Sequence, residues 1–278
     1  MKILVTGSNG MIGSHLVDKL LANGFEVIGI DKSNSKSKDE KYYHYGIDLA
    51  DKLQLQDIIK ESKPDRIIHL AALAHSVDGK EYSWEKYNHL NIECAKNVFD
   101  VANDIPVLFI STVDVYGFTK GIVSKKTKLK PVSFYAKSKK IAEDECKKLK
   151  HYDIYRFSPV YTDTIKRDIQ KRYYIKYPNI AYKIGKGTEY EVLNVKKAVY
   201  AMLDWCNKKV TNDIYIIKDS SMLNTANYIE YEKKEGRAGF VLHFPKWLVI
   251  LGYKILMITG ENKYTYLLNK AVYPLRTE

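Results

Sequence analysis

Apolar positions follow two rhythms along this chain. Short, nearly continuous apolar runs fall at 3–5, 25–30, 66–70, 107–110 and 214–217, rich in Ile and Val. Such runs read as strands buried on both faces, as in a parallel sheet. A further short strand is expected at 42–46. Between the runs, apolar residues return at helical spacing in 15–23, 53–60, 84–103, 134–150 and 194–205. In 84–103 the stripe is Leu90, Cys94, Val98, Val101 and Ala102; in 194–205 it is Val195, Val199, Met202 and Leu203. The alternation predicts an α/β protein. Residues 1–161 would form a doubly wound parallel sheet of the Rossmann type, and 162–278 a small α+β substrate lobe interleaved with its last elements. The most apolar stretch, 240–259, has Pro245 at a helix start and is cut by Lys254. Its uninterrupted apolar length falls short of the ~20 residues of a membrane span. An amphipathic helix packed on the second lobe is expected there, with peripheral membrane contact as the alternative.

The first strand breaks into Thr6-Gly7-Ser8-Asn9-Gly10-Met11-Ile12-Gly13, with three glycines spaced three apart. Glycines let backbone approach a ligand, and the helix that follows offers free N–H groups and a positive dipole end to a phosphate. Strand, glycine turn and helix in this order read as a dinucleotide site. Asp31 ends the second strand about twenty residues on, where a carboxylate can accept both ribose hydroxyls and repel a 2′-phosphate. NAD is therefore expected, with NADP left open by the adjacent Lys32. The small residues after the strand at 66–70, in Leu70-Ala71-Ala72, would let the cofactor pass close to backbone. His75 and Ser76 follow in a loop at the strand's carboxyl end, where ligands bind in such sheets. His69 reads as a packed structural histidine.

The strand at 107–110 delivers Ser111-Thr112-Val113-Asp114, and the helix opening at 134 carries Tyr135 and Lys139. Four residues apart on a helix, the two side chains share a face. A nearby ammonium lowers a phenol's pKa, so Tyr135 could serve as a general base, with the Thr112 hydroxyl holding the substrate oxygen. Tyr82 with Lys86 and Tyr182 with Lys186 repeat the spacing, but neither follows a strand ending in a Ser/Thr donor. Lys166, Arg167, Lys171 and Arg172 lie close together and could pair with a diphosphate, or form a solvated face.

Thr6 to Gly13, Asp31, His69 to Ala72, Thr112 to Gly117, and Tyr135 with Lys139 together resemble the extended short-chain dehydrogenase/reductases, the NAD-dependent epimerases and dehydratases of nucleotide-sugars. The resemblance implies bound NAD(P), with Tyr135 as catalytic acid/base, Lys139 on the nicotinamide ribose and Thr112 on the reacting sugar oxygen. It implies that Gly7, Asn9, Gly10, Met11 and Ile12 line the pyrophosphate and that Asp31 holds the adenosine ribose. Asp48 and Leu49 would meet the adenine, and Pro159 and Val160 would lie on the cofactor. Substrate contacts would come from His75, Ser76, Thr112, Asp114, Tyr135, Lys171 and Arg172. Two departures matter. Dehydratases of this family carry an Asp-Glu pair after the Thr; here Val113-Asp114 stands there, which removes a proton donor and argues against dehydration. Many 4-epimerases have a substrate-contacting Asn where this chain has Pro159, and the run after Ala72-Leu73 resembles 4-ketoreductases of 6-deoxy amino sugars. The expected reaction is sugar 4-epimerisation through transient C4 oxidation. The alternatives are a 4-ketoreductase consuming NAD(P)H and a non-catalytic NAD(P)-binding scaffold.

Composition changes this picture little. In 278 residues, 45% are hydrophobic and 28% charged, ordinary for a globular protein. The net charge of +12 comes from scattered lysines without a base-stacking module, so a basic surface is expected rather than a nucleic-acid partner. Cys94, Cys146 and Cys206 are far apart, which points to reduced thiols and no metal site. A cytoplasmic protein is expected, working as a homodimer on a nucleotide-diphosphate sugar.

Overall fold

Two successive residues, Asn91 and Ile92, face the interior, and their placement shows how the chain departs from simple periodicity. The computed structural model describes residues 1–34, 39–74, 81–164 and 167–278. β1 (Lys2–Thr6) leads through the glycine turn into α1 (Met11–Ala22), followed by β2 (Glu26–Asp31), β3 (Tyr42–Gly46), α2 (Lys52–Ser62) and β4 (Arg66–His69). α1 starts at Met11, ahead of the expected 15, because Gly10 in extended conformation caps it directly. Asp51 caps α2 by accepting the Gln54 N–H at 3.0 Å. The stretch 84–103 is helical but broken: α3 (Trp84–Tyr87) passes through a π-helical turn, Asn88–Glu93, into α4 (Cys94–Ala102). Asn91 and Ile92 are buried within this turn. β5 (Val107–Thr112) runs through a 3-10 turn at Val113–Tyr116 and the short β6 (Ile122–Val123) to α5 (Phe134–Cys146). Ser133 caps α5 through the Ala136 N–H at 3.1 Å. α5 stops at Cys146, short of 150, and Leu149 folds back onto the core.

β7 (Tyr152–Phe157), β8 (Val160–Tyr161), α6 (Arg167–Gln170), β9 (Tyr174–Lys176), β10 (Ile180–Ile184), β11 (Glu189–Tyr190) and β12 (Leu193–Asn194) precede α7 (Val195–Asn207). Then come β13 (Ile214–Ile217), β14 (Leu223–Asn224), α8 (Thr225–Lys234), β15 (Phe240–Phe244), α9 (Lys246–Leu256), a 3-10 turn at Met257–Thr259, α10 (Lys263–Val272) and β16 (Arg276–Thr277).

The chain divides into two units. The first comprises 1–112, 133–157 and 195–217. Its strands form one parallel sheet in the order β13-β7-β5-β4-β1-β2-β3. The order reverses between β1 and β4, and their carboxyl ends lie side by side with Thr6 opposite His69. A crevice at such a reversal is where this architecture binds ligands. Leu4, Ile28, Ile67, Phe109 and Ile154 from the sheet pack with Leu55, Val98, Phe99 and Ala142 from the helices. Buried Asp153 ties β7 to α7, accepting from Trp205 Nε1 at 2.9 Å and Thr211 Oγ1 at 2.7 Å.

The second unit comprises 113–132, 158–194 and 218–278. Short pairings dominate it: β15-β10-β9, β11-β14, β12-β8 and β16-β6. Its core gathers Ile169, Tyr173, Tyr174, Ala181, Tyr190 and Ile229. Buried Glu232 takes Arg237 Nε at 2.9 Å and the Tyr174 hydroxyl at 3.0 Å. In the stretch 240–259 the helix begins after Pro245, at the start expected for it, but residues 240–244 form a strand not expected there, β15, parallel to β10. The run Phe240-Val241-Leu242-His243-Phe244 is short and apolar enough to read as either strand or helix. α9 does not pack by its apolar face: Tyr253 is its one buried residue.

Candidate active site

The glycine turn closes as tightly as its spacing suggests. Gly7 adopts φ +70°, and a Cβ there would lie 2.9 Å from the Ala71 N and Cα, so the ends of β1 and β4 abut. A Cβ on Gly13 would lie 2.0 Å from the Gly7 carbonyl oxygen. The Gly10 N–H donates to that same carbonyl at 3.0 Å. Ser8 Oγ is buried and has no partner among the described residues. Thr6 Oγ1 accepts the Ala71 N–H at 3.3 Å and shares a 2.7 Å hydrogen bond with His69 Nδ1. His69 stacks on Phe109, and burial first, then the charge of Lys139, pushes its pKa down to about 3. It is a neutral, packed histidine, as its sequence setting suggested. A turn whose glycines leave its backbone bare, opening onto the start of α1, fits a dinucleotide pyrophosphate.

Asp31 is held at the end of β2. Its Oδ2 accepts the Asn9 N–H at 3.1 Å, and its Oδ1 accepts the Ser33 N–H at 3.1 Å and hydroxyl at 3.0 Å. Lys32 turns to Asp48, Nζ to Oδ2 2.8 Å, and this bond holds the Asp48 carboxyl below its ordinary range. Leu49 sends its side chain into the core, so only its backbone is left for an adenine.

On the other side of the switch point, α5 carries Tyr135 half-buried and Lys139 buried. Lys139 Nζ lies 4.2 Å from the centroid of the Phe109 ring, on the strand that ends at Thr112. Burial pushes the Lys139 pKa down to about 7, against the opposing charges of Glu143 and Cys146. One helical turn beyond Lys139, Glu143 is completely buried in a forked pair with Arg156, at 3.0 and 2.7 Å. Glu143 also accepts the Ser111 hydroxyl at 2.5 Å, next to Thr112. α5 thus carries Tyr135 and Lys139 beside the strand that ends at Thr112, and the Glu143–Arg156 fork ties that helix to β7.

Sequence reasoning missed the residues that brace this frame. Asn91, brought inward by the π-helical turn, accepts the Leu73 N–H at 2.7 Å. Its amide donates to the Leu73 carbonyl at 3.0 Å and to Ser138 Oγ at 2.9 Å. Ser138 in turn donates to the Tyr135 carbonyl at 2.8 Å. Tyr87 bonds the Ala74 carbonyl at 3.0 Å, its ring centroid 6.4 Å from that of Tyr135. An arginine inside the strand at 152–157 was the one sequence signal that a buried acid must lie nearby.

In the second unit, Asp114 pairs with Lys270 Nζ at 2.8 Å and bonds the Tyr266 hydroxyl. Burial and the Asp114 charge push Tyr266 far above its ordinary pKa, with Arg172 opposing. Arg172 stacks its guanidinium 4.3 Å from the Tyr190 ring centroid, and its Nε is buried with no partner among the described residues. Lys171 is exposed. Pro159 and Val160 lie where β8 joins β12, the Pro159 carbonyl accepting the Leu193 N–H at 3.0 Å. His75, Ser76 and Lys166 lie outside the described residues, as does the side chain of Arg167.

A parallel sheet with a glycine cradle at its switch point defines a dinucleotide-binding protein of the Rossmann class. The pattern of the NAD dependent epimerase/dehydratase family matches residues 3–200, and the chain belongs to that family. It is 29% identical over 150 residues to a UDP-glucose 4-epimerase of Lactobacillus helveticus, covering 51% of this chain and 45% of that one. It is 31% identical over 147 residues to a GDP-6-deoxy-D-talose 4-dehydrogenase of Aggregatibacter actinomycetemcomitans, covering 51% and 46%. The matched stretch thus spans about half the length of these curated relatives. Among solved structures, UDP-glucuronic acid 4-epimerase from Bacillus cereus in complex with NAD shares the fold, with a TM-score of 0.70 at 21% identity over 88% of this chain and 87% of that one.

Proposed function

We propose that this protein is an NAD-dependent nucleotide-sugar 4-epimerase. The observation that carries the reading is the pairing of the glycine cradle with Tyr135 and Lys139 on one face of α5, Lys139 held against β5. Gly7, Asn9, Gly10, Met11 and Ile12 would take the pyrophosphate, Asp31 the adenosine ribose, and Lys139 the nicotinamide ribose. Leu70, Ala71 and Ala72 would wall the cofactor, which, when bound, supplies the acceptor and donor of hydride. NAD rather than NADP is favoured because Asp31 stands at the end of β2 with no ion pair among the described residues, while Lys32 is paired with Asp48. Names of relatives and neighbours, UDP-glucose 4-epimerase and a UDP-glucuronic acid 4-epimerase bound to NAD, support the same assignment.

Tyr135 takes the proton from the sugar C4 hydroxyl as the C4 hydrogen leaves, and returns it once the keto sugar has turned over. Thr112 Oγ holds that oxygen in line with the phenol. Lys139, in its charged form, stabilises the phenolate. In the second unit, Arg172, whose Nε has no partner among the described residues, and Lys171 are candidates for pairing with a diphosphate. Pro159 and the relation to a 4-dehydrogenase favour a second reading, a 4-ketoreductase.

One experiment separates these. The purified chain is denatured to identify any released nicotinamide dinucleotide, and fresh protein is incubated with UDP-, GDP- and dTDP-sugars. A C4 epimer without net change in cofactor supports the epimerase; stoichiometric loss of NAD(P)H with a keto sugar makes it a reductase. Neither reaction, with dinucleotide still bound, leaves a scaffold. Tyr135→Phe should bind dinucleotide and lose about 10²–10⁴-fold in kcat; undiminished turnover in that variant removes Tyr135 from the chemistry.

A further inference from the structure

α9 presents its apolar side outward. Trp247, Leu251 and Ile255 recur every fourth residue, with Leu248 beside them; they are 66%, 46%, 58% and 45% exposed. Ile258, in the following turn, is 84% exposed. The opposite side is anchored within the second unit. Tyr253 is buried, its hydroxyl accepts Asn269 Nδ2 of α10 at 3.2 Å, and its ring packs against Tyr273. The outward stripe is therefore a fixed feature of a packed helix. α10 adds Tyr264 and Leu267 to the exposed apolar surface. Exposed apolar patches of this extent mark interaction surfaces.

Charge selects the partner. Between Glu235 and Glu261 there is no acidic residue, while Arg237, Lys246 and Lys254 are basic. Lys246 and Lys254 are exposed on α9 itself. A second copy of a chain carrying +12 would bring like charge to this face, whereas anionic lipid headgroups complement it. No described helix is long and apolar enough to cross a membrane. Eleven residues at 1.5 Å each give about 16 Å, which suits a helix lying in the interface.

We propose that α9 docks this protein onto the surface of an anionic lipid bilayer. Trp247, Leu248, Leu251, Ile255 and Ile258 sink to the headgroup–acyl boundary, and Lys246 and Lys254 extend to the phosphates. The docking is independent of the epimerase reading and would stand if that reading failed.

The test is flotation of the full chain with vesicles of phosphatidylcholine alone and of phosphatidylcholine mixed with phosphatidylglycerol. The protein is expected to float with the anionic vesicles, with a blue shift in tryptophan emission that Trp247→Phe abolishes. The combined variant Trp247→Ser, Leu251→Ser, Ile255→Ser, at exposed positions, should keep its circular dichroism and bind more than about 50-fold more weakly. Lys246→Gln with Lys254→Gln should weaken anionic-vesicle binding by about fivefold per lysine. No flotation at either composition overturns the proposal, as does undiminished binding by the triple serine variant. Equal binding to both compositions overturns its anionic specificity. A lipid-free dimer that the triple variant dissociates would give this face to a second copy instead.

Discussion

Lys139 sits where a charge is costly. Its surroundings lower its pKa from 10.5 to about 7, a difference equivalent to at most about 5 kcal/mol against folding with the amine charged. Glu143 lies one turn away but is already forked to Arg156, so it offsets only part of this cost. A stretch of α5 thus carries a destabilising group that packing alone would replace with a hydrocarbon. The proposed role in stabilising the Tyr135 phenolate explains its presence, and the two roles separate experimentally. Lys139→Met should stabilise the fold by roughly 1–3 kcal/mol at pH 7 after relaxation in the wild type is allowed for, read as a higher urea midpoint. The same variant should lose most of its turnover. A variant less stable than the parent at pH 7 would mean that the amine is better paired than its surroundings indicate.

At the scale of elements, the π-helical turn does more than join α3 to α4. By placing Asn91 inside, it links the segment after β4 to the helix that bears Tyr135, through Leu73 and Ser138. Asn91→Ala leaves the Leu73 N–H and carbonyl, both partly buried, without their amide partner, which should cost about 1–3 kcal/mol in stability. It should also weaken dinucleotide binding about tenfold, since Ala71 and Ala72 adjoin the glycine cradle. Thermal melts and a dinucleotide titration check both. Nothing in the sequence announced this turn, because one extra residue hardly disturbs a helical stripe. The neighbouring signals were plain: three glycines after an apolar run place the cradle, and Tyr135 with Lys139 needed only helical geometry. Asp114 was legible as a polar residue after β5, but Lys270, 156 positions on, shows no periodicity that would assign it as a partner. β15 was hidden in the most apolar stretch, where a strand and a helix read alike until Pro245 divides them.

For the molecule as a whole, its buried titratable groups combine into a pH profile of stability. His69 titrates near 6.5 when unfolded but is held down at about 3 in the fold. The unfolded chain therefore binds more protons between these values, and stability is lost as pH falls from 6.5 toward 3. Lys139 acts with the same sign higher up: its cost is in force below pH 7 and fades as pH rises toward 10.5, so stability climbs through that window. The thiols oppose this. Burial pushes Cys94 up to about 11 and Cys206 up to about 12 from an ordinary 9.0, and pushes Cys146 further still. Above pH 9 the unfolded chain sheds those protons while the fold retains them, so stability falls again, and buried tyrosines such as Tyr155 and Tyr173 steepen the fall above 10. The maximum should accordingly lie near pH 8–9, on the alkaline side of the usual range of about 5 to 8. Urea midpoints measured from pH 5 to 10 check the position of the maximum. In Lys139→Met the climb between 7 and 9 should vanish and the maximum move down to about pH 7. A maximum that stays in place in that variant would show that Lys139 remains charged in the fold.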